Sequence, residues 1–369
     1  MQRIFNLSHA DLDGIAAAIA VRTAHPEDHV RTEFTSLFGV HQALKRAIEA
    51  RIPWDRIILS DVSIKVPTRG TVYIDDRQKQ LVEELEGLIK GYVDDGGEFV
   101  VLDHHETALP MKFFYNAELH PDSILQVNGE DGKPISGSEI AGIYMMIKIN
   151  LIEDMIISGE VMAVDDPQDD EEMFSVMEYD LNTLALFVIE FCRLAGDIDV
   201  WRDPFGFGGK LALALDLMDD NYGAMQDFQA LITCAMQRDG NFEAALSDIP
   251  LLEYYYNMAG NKLAGALALA EKSCVEHSHN FHQIESKFFS SHCAEKIYSR
   301  THGVVLMTYP TSSRKISFRC HTDITLNLAE FVKRFGGGGH ERSAGMDIPE
   351  DMTLEDIVDE MLIALKKLN

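Results

Sequence analysis

A chain of 369 residues with 60 acidic and 32 basic residues carries a net charge of −28, which repels long polyanions and argues against a protein that tracks extended duplex nucleic acid; a short or small anionic substrate is compatible with it. At 46% hydrophobic residues it can bury ordinary cores and its length suits two domains, but its longest apolar stretches, 15–21 and 184–189, are far too short to cross a bilayer. Five scattered cysteines (Cys192, Cys234, Cys274, Cys293, Cys320) fit free thiols in a reducing compartment, and with no secretion leader read at the start, a cytoplasmic protein without membrane contact is expected.

The first half alternates between the two regular structures. Residues 3–8, 30–36, 57–60 and 99–102 read as strands, and 14–23, 40–51, 78–92 and 138–152 as helices. Such alternation predicts a parallel sheet covered on both faces, with ligands at the carboxyl ends of its strands. The acidic run 165–172, containing Pro167, reads as a solvated loop because it lacks the spacing of a calcium-binding loop. Residues 181–194 and 222–236 look helical. Between them, Phe205-Gly206-Phe207-Gly208-Gly209-Lys210 lacks the spacing of a phosphate-binding loop. The alanine- and leucine-rich stretch 258–276 is expected to be a connector helix, and Tyr254, Tyr255 and Tyr256 before it to serve packing. Beyond it come a helix (294–301), two strands (303–309 and 315–321), a further helix, a glycine run and a last helix (354–367). The expected division is a catalytic domain over 1–245, a helical connector over 246–280 and a smaller α/β domain over 281–369.

Three strand ends offer metal ligands. His9-Ala10-Asp11-Leu12-Asp13-Gly14 follows one strand and precedes a helix. Residues two apart on extended chain point the same way, so His9, Asp11 and Asp13 can face one site, although an Asp-x-Asp-Gly can also simply cap a helix. Asp61 ends the strand at 57–60, where capping a turn is the alternative; Asp75 and Asp76 are a weaker case of the same kind. Asp103-His104-His105 closes the strand at 99–102. Carboxylate oxygens and imidazole nitrogens suit manganese, magnesium or iron, and two such cations about 3.5–4 Å apart clamp the oxygens of an in-line phosphoryl displacement. Near the other end, Phe335-Gly336-Gly337-Gly338-Gly339-His340-Glu341-Arg342 is expected to expose backbone N–H groups that cradle phosphate oxygens, with His340, Arg342 and Arg319 adding polar and cationic contacts.

Together these segments resemble the DHH phosphoesterase superfamily. Ser8-His9-Ala10-Asp11-Leu12-Asp13-Gly14 looks like its first motif, Ser60-Asp61 its second, and Leu102-Asp103-His104-His105-Glu106 its name motif. Gly336 to Gly345 looks like the glycine-rich signature of the DHH-associated C-terminal domain, and the motifs run in the family's order across nearly the whole chain. The resemblance implies a Rossmann-like parallel-sheet catalytic domain, a connector and a smaller substrate-binding domain, with manganese as the usual metal. Carried over, His9 and Asp11 hold one cation and Asp13 the other, while Asp61 bridges them. His104 binds the second cation, His105 contacts the scissile phosphate and Asp103 orients the histidines. Gly196-Asp197-Ile198-Asp199-Val200-Trp201 resembles the fourth motif, with Asp199 favoured and Asp197 in reserve. Arg319, Gly337, Gly338, Gly339, His340 and Arg342 bind substrate.

Within the superfamily the Asp-Leu-Asp-Gly and Asp-Val-Trp forms look most like the oligoribonuclease and cyclic-nucleotide phosphodiesterase subgroup. The expected activity is manganese-dependent hydrolysis of very short RNA to mononucleotides. A cyclic dinucleotide phosphodiesterase and an adenosine 3′,5′-bisphosphate phosphatase are the alternatives. A single-strand DNA exonuclease and a non-catalytic nucleotide-binding protein stand further back, and whether the chain forms a homodimer stays open.

Overall fold

The computed structural model describes residues 1–36, 39–50, 53–62, 76–104, 120–126, 128–129, 133–158, 170–200, 202–203, 205–218, 220–286, 290–309 and 312–368. Two compact units emerge, one ending at Asn257 and one starting at Met258.

The first unit is built on a five-stranded sheet of β1 (Arg3–His9), β2 (His29–Thr35), β3 (Arg56–Ser60), β4 (Glu98–Asp103) and β5 (Ile124–Leu125), in the order β2-β1-β3-β4-β5 and parallel throughout. β1 and β3 are neighbours although β2 lies between them in sequence, so the chain reverses its winding there. The crevice above that reversal, at the carboxyl ends, is where sheets of this kind bind ligands. Helices α1 (Leu12–Thr23), α2 (Val40–Ile48), α3 (Asp76–Asp94), α4 (Gly137–Ser158) and α5 (Asp170–Asp199) cover the two faces. Alternation along each strand decides which residue meets which helix. Phe5, Leu7, Ile57, Leu59, Phe99 and Val101 pack against Val40 and Leu44 of α2 and Leu85 and Ile89 of α3. The other face meets α1 and α4, and α5 packs beside them. Helices α6 (Phe207–Leu215), α7 (Asn221–Met236) and α8 (Phe242–Ala245) complete the unit. Gly208 serves helix packing there, since a Cβ would lie 1.9 Å from the Leu194 carbonyl oxygen.

A polar cluster locks the amino ends of the strands. Buried Arg56 donates through Nε to Glu98 (2.6 Å) and through Nη1 to the Tyr144 hydroxyl (3.0 Å). His25 Nε2 lies 2.8 Å from that hydroxyl, and burial, with Arg56 adding to it, pushes its pKa down to about 4. A neutral His25 therefore sits beside the buried guanidinium at ordinary pH.

Helix α9 (Pro250–Ser273) runs across the division between the units. It starts earlier than its alanine-rich part suggests, because proline is well placed in a first helical turn. The second unit carries a six-stranded mixed sheet, ordered β10-β11-β9-β8-β7-β6: β6 (Val275–Ser278), β7 (Phe281–Glu285), β8 (Val304–Tyr309), β9 (Ser312–Cys320), β10 (Gly338–His340) and β11 (Ser343–Asp347). Only β7 and β8 pair in parallel among its described strands. One face packs Phe281, Leu306 and Phe318 against α11 (Leu328–Lys333) and α12 (Leu354–Lys366). The other packs Ile284, Val305 and Met307 against Ala270 of α9 and Ala294 and Ile297 of α10 (Ser290–Thr301).

Three expectations need correction. Residues 275–278, expected to end the connector helix, form β6 instead, and with β7 they make an antiparallel hairpin. The acidic run 165–172 is not wholly loop: 165–169 lie outside the described residues, and α5 begins at Asp170. The glycine run is part strand, Gly338 to His340 pairing with Ser343 to Gly345.

Candidate metal centre

The centre is assembled at the carboxyl ends of β1, β3 and β4. At the end of β1, Asp11 caps the helix, as one reading of its motif has it, and also meets His9. Its Oδ1 accepts from the Gly14 N–H at 3.0 Å, capping α1, while its Oδ2 lies 2.6 Å from His9 Nδ1. Gly14 is needed for space: a Cβ there would lie 2.3 Å from the His9 carbonyl oxygen. In the first turn of α1, Asp13 is buried. The Ser138 hydroxyl donates to its Oδ1, and the Ser138 N–H donates to its Oδ2 at 3.2 Å.

Asp61 follows β3 with its N–H still donating to the Leu102 carbonyl (2.8 Å), and a φ of +54° turns the chain out of the sheet. Aspartate is one of the few side chains that accepts this left-handed conformation. Its carboxylate is buried against the first residue of α4, where a Cβ on Gly137 would lie 2.3 Å from Asp61 Oδ1. Reciprocal hydrogen bonds fix that helix start: Ser136 N–H to Glu139 Oε2 (3.0 Å) and Glu139 N–H to Ser136 Oγ (3.3 Å). Gly137 and Ser138 were not singled out from the sequence as site residues. The legible signal was Ser136-x-x-Glu139, a helix-start pattern placed among small residues.

At the end of β4, buried Asp103 accepts from the His104 N–H at 2.9 Å. His104 Nε2 reaches Asp61 Oδ1 at 3.4 Å and Asp199 Oδ2 at 3.3 Å. Asp199 is the last residue of α5 and the more open partner. Asp197, the reserve candidate, is engaged elsewhere, by Arg202 Nε at 3.0 Å and Arg193 Nη1 at 3.2 Å. His105 and Trp201 lie outside the described residues, as does Asp75; Asp76 begins α3.

Two ligand groups result. His9, Asp11 and Asp61 form one and Asp13, Asp61 and His104 the other, each with its donor atoms within 4.8 Å of one another. Asp61 belongs to both. Burial first, and then the charges of Asp13, Asp11 and Asp199, hold the Asp61 carboxyl well above the usual range. Burial and then Asp199 push Asp13 up to about 7, against the Ser138 hydrogen bond. Among the described residues no lysine or arginine pairs with either carboxylate. Crowded, buried, oxygen-rich and short of positive charge, the set fits hard divalent cations.

The C-terminal candidates occupy the second unit. Gly336 has a φ of +79°, and the N–H groups of Gly336 and Gly337 donate to the Lys333 (3.2 Å) and Val332 (3.0 Å) carbonyls, closing the end of α11. Those two N–H groups therefore cap a helix rather than cradle phosphate. A Cβ on Gly337 would lie 2.6 Å from Met346 Cβ, whereas one on Gly338 would meet nothing within 4 Å. β10, which starts at Gly338, is an edge strand, so one side of its backbone faces no strand of the described sheet. Arg319 donates to the Ser291 hydroxyl at 3.1 Å and the Phe318 carbonyl at 3.0 Å. No carboxylate pairs with it among the described residues, and burial lowers its pKa. Arg342 Nη1 donates to the His321 carbonyl (2.9 Å) and the Ile324 carbonyl, tying the β10–β11 hairpin to the loop after β9.

Comparison with known proteins places this architecture. Residues 271–367 match the DHHA1 domain model. An oligoribonuclease, NrnB of Bacillus subtilis (strain 168), is 21% identical over 355 residues, covering 94% of this chain and 73% of that protein. These findings support a DHH-superfamily member that carries a DHHA1 domain. Two solved structures share its fold over the whole chain. The pGpG-specific phosphodiesterase PggH of Vibrio cholerae has a TM-score of 0.51 at 11% identity, covering 100% of this chain and 99% of that one. Manganese-bound exonuclease RecJ has a TM-score of 0.51 at 13% identity, covering 100% and 91%. The mixed sheet after α9 lies within the residues that match the DHHA1 domain, and the carboxylates above the sheet reversal between β1 and β3 lie in the other unit.

Proposed function

We propose that the chain is a divalent-cation-dependent phosphodiesterase that hydrolyses short oligoribonucleotides, dinucleotides among them, to mononucleotides. The observation that carries the reading is Asp61, a single buried carboxylate common to two ligand groups above the reversal of a parallel sheet. Two cations held there, manganese by preference, would neutralise phosphate oxygens and lower the pKa of an attacking water.

The chain's own residues do the rest. His9 and Asp11 form one arm of the centre and Asp13 and His104 the other, with Asp61 setting their spacing and Asp199 closing the open side. Asp103 fixes the His104 backbone through its 2.9 Å hydrogen bond, and so the direction of the imidazole. His105, next in sequence, contacts the scissile phosphate. Arg319, the edge backbone over Gly338 and Gly339, His340 and Arg342 form a substrate-binding group of the second unit, suited to a phosphate or a terminal nucleotide. Gly337 acts indirectly, by closing α11 and setting where β10 starts. The acidic surface favours small substrates over long polyanions. The oligoribonuclease activity named for the Bacillus relative supports the same substrate class.

The test is a substrate panel with manganese: dinucleotides, short RNA, cyclic dinucleotides, adenosine 3′,5′-bisphosphate and single-stranded DNA. Dinucleotides and short RNA should give the highest kcat/KM. Preference for either of the two small-nucleotide alternatives, or for DNA, would overturn the substrate assignment, and absence of hydrolysis across the panel would overturn the activity.

A further inference from the structure

Outside the carboxylate centre, one other group of described residues brings metal-ligating atoms together. His302, His321 and Asp323, all in the second unit, have donor atoms within 4.8 Å of one another. Asp323 Oδ2 lies 2.7 Å from His302 Nδ1 and 3.4 Å from His321 Nδ1, and the two rings are 4.3 Å apart at 56°. Neighbouring donors on a tetrahedral zinc with bonds of about 2.0–2.1 Å are separated by about 3.3 Å, so these spacings bracket what one ion requires.

We propose that His302, His321 and Asp323 form a binding site for a zinc-class divalent cation, separate from the carboxylate centre. Two imidazoles and a carboxylate suit zinc better than magnesium or calcium, which take oxygen ligands. His302 and Asp323 are exposed, which leaves the fourth position to water.

The framework that holds the ligands is already built. His302 terminates α10, its N–H donating to the Tyr298 carbonyl at 2.7 Å, and it adopts a φ of +49°. The negative end of that helix favours a cation beside it. Gly303 allows no side chain, since a Cβ would lie 2.5 Å from the Asn280 carbonyl oxygen, so the turn bearing His302 is held close. The other two ligands come from the loop after β9. The His321 N–H donates to the Gly303 carbonyl at 2.9 Å, joining the two loops directly, and Arg342 holds the His321 carbonyl. The Asp323 N–H donates to His321 Nδ1 at 3.2 Å, which marks that nitrogen as unprotonated. The His302 hydrogen bond holds the Asp323 carboxyl below its usual range. Cation binding at His302 Nδ1 would replace its hydrogen bond to Asp323, the ring proton moving to Nε2, and would displace the amide contact at His321.

Equilibrium dialysis of the full chain against zinc, followed by elemental analysis, tests this. Wild type should retain one zinc ion per chain more than a His302→Ala/Asp323→Ala variant, and the same difference should persist in an Asp61→Asn background. Cobalt should give a visible spectrum of four-coordinate N/O type in wild type that the double variant lacks. Because both replaced side chains are exposed, the variant should keep the wild-type circular dichroism; if it does not, His302→Gln provides the same comparison. Equal zinc content and identical cobalt spectra in wild type and a folded variant would overturn the site. Loss of the difference in the Asp61→Asn background would show that the extra ion belongs to the carboxylate centre.

Discussion

Replacing Gly137 with alanine sets a methyl group inside the space of the Asp61 carboxylate. The new Cβ would lie 2.3 Å from Asp61 Oδ1, 2.5 Å from its Cβ and 2.7 Å from its Cγ. A tolerable contact needs about 3.4 Å, so one partner must move by about an ångström. α4 cannot easily yield, because the Ser136–Glu139 hydrogen bonds and the Ser138 contacts to Asp13 fix its start. Asp61 therefore moves. Overpacking of this kind costs about 1–3 kcal/mol of stability, and a displacement of about an ångström at a reacting centre costs about a hundredfold in rate. Dinucleotide hydrolysis with manganese should fall by about two orders of magnitude, with weaker manganese affinity by calorimetry and a protein that still melts cooperatively. Gly137→Ser should be at least as severe. Near-wild-type kcat/KM and manganese affinity in Gly137→Ala would refute the argument that α4 holds Asp61 in its working position.

Other outcomes follow from the same geometry. The Asp13 carboxyl, at about 7 when folded against 3.8 ordinarily, binds its proton more tightly in the native state. The metal-free protein should therefore lose stability as pH rises from about 4 through about 7, and manganese should restore it; a melting temperature in chelator that climbs from pH 5 to 8 would contradict this. Asp199→Asn should cut activity by about tenfold or more with an unchanged melting temperature. Asp197→Asn should instead lower the melting temperature by about 2–4 °C through its lost arginine partners while sparing manganese binding. The reverse pattern would exchange the two assignments.

The strands that carry the centre were legible because β3 and β4 hold short apolar runs, the pattern of a buried parallel strand, β1 mixes apolar with polar residues, and ionisable residues stand at or just after the end of each. Their neighbours were legible as helices by period. What escaped were elements whose chemistry argues against their structure. β6 and β7 are rich in histidine and polar residues, so no apolar run announces them. The glycine run offers no side-chain pattern at all, and pairing with β11 decides its conformation. The position of Gly137 against Asp61 depends on two segments distant in sequence, so spacing along the chain cannot show it.

The left-handed turn at Asp61 carries a consequence for how this chain can change. Asparagine accepts that conformation as readily as aspartate and has nearly its shape, whereas a branched side chain there would be strained. One substitution can therefore remove the shared charge and leave the backbone undisturbed. It would also relieve the repulsion that a buried carboxylate suffers among Asp11, Asp13 and Asp199. A duplicated copy freed from selection for hydrolysis could take that step and gain stability, keeping the fold as a nucleotide-binding scaffold.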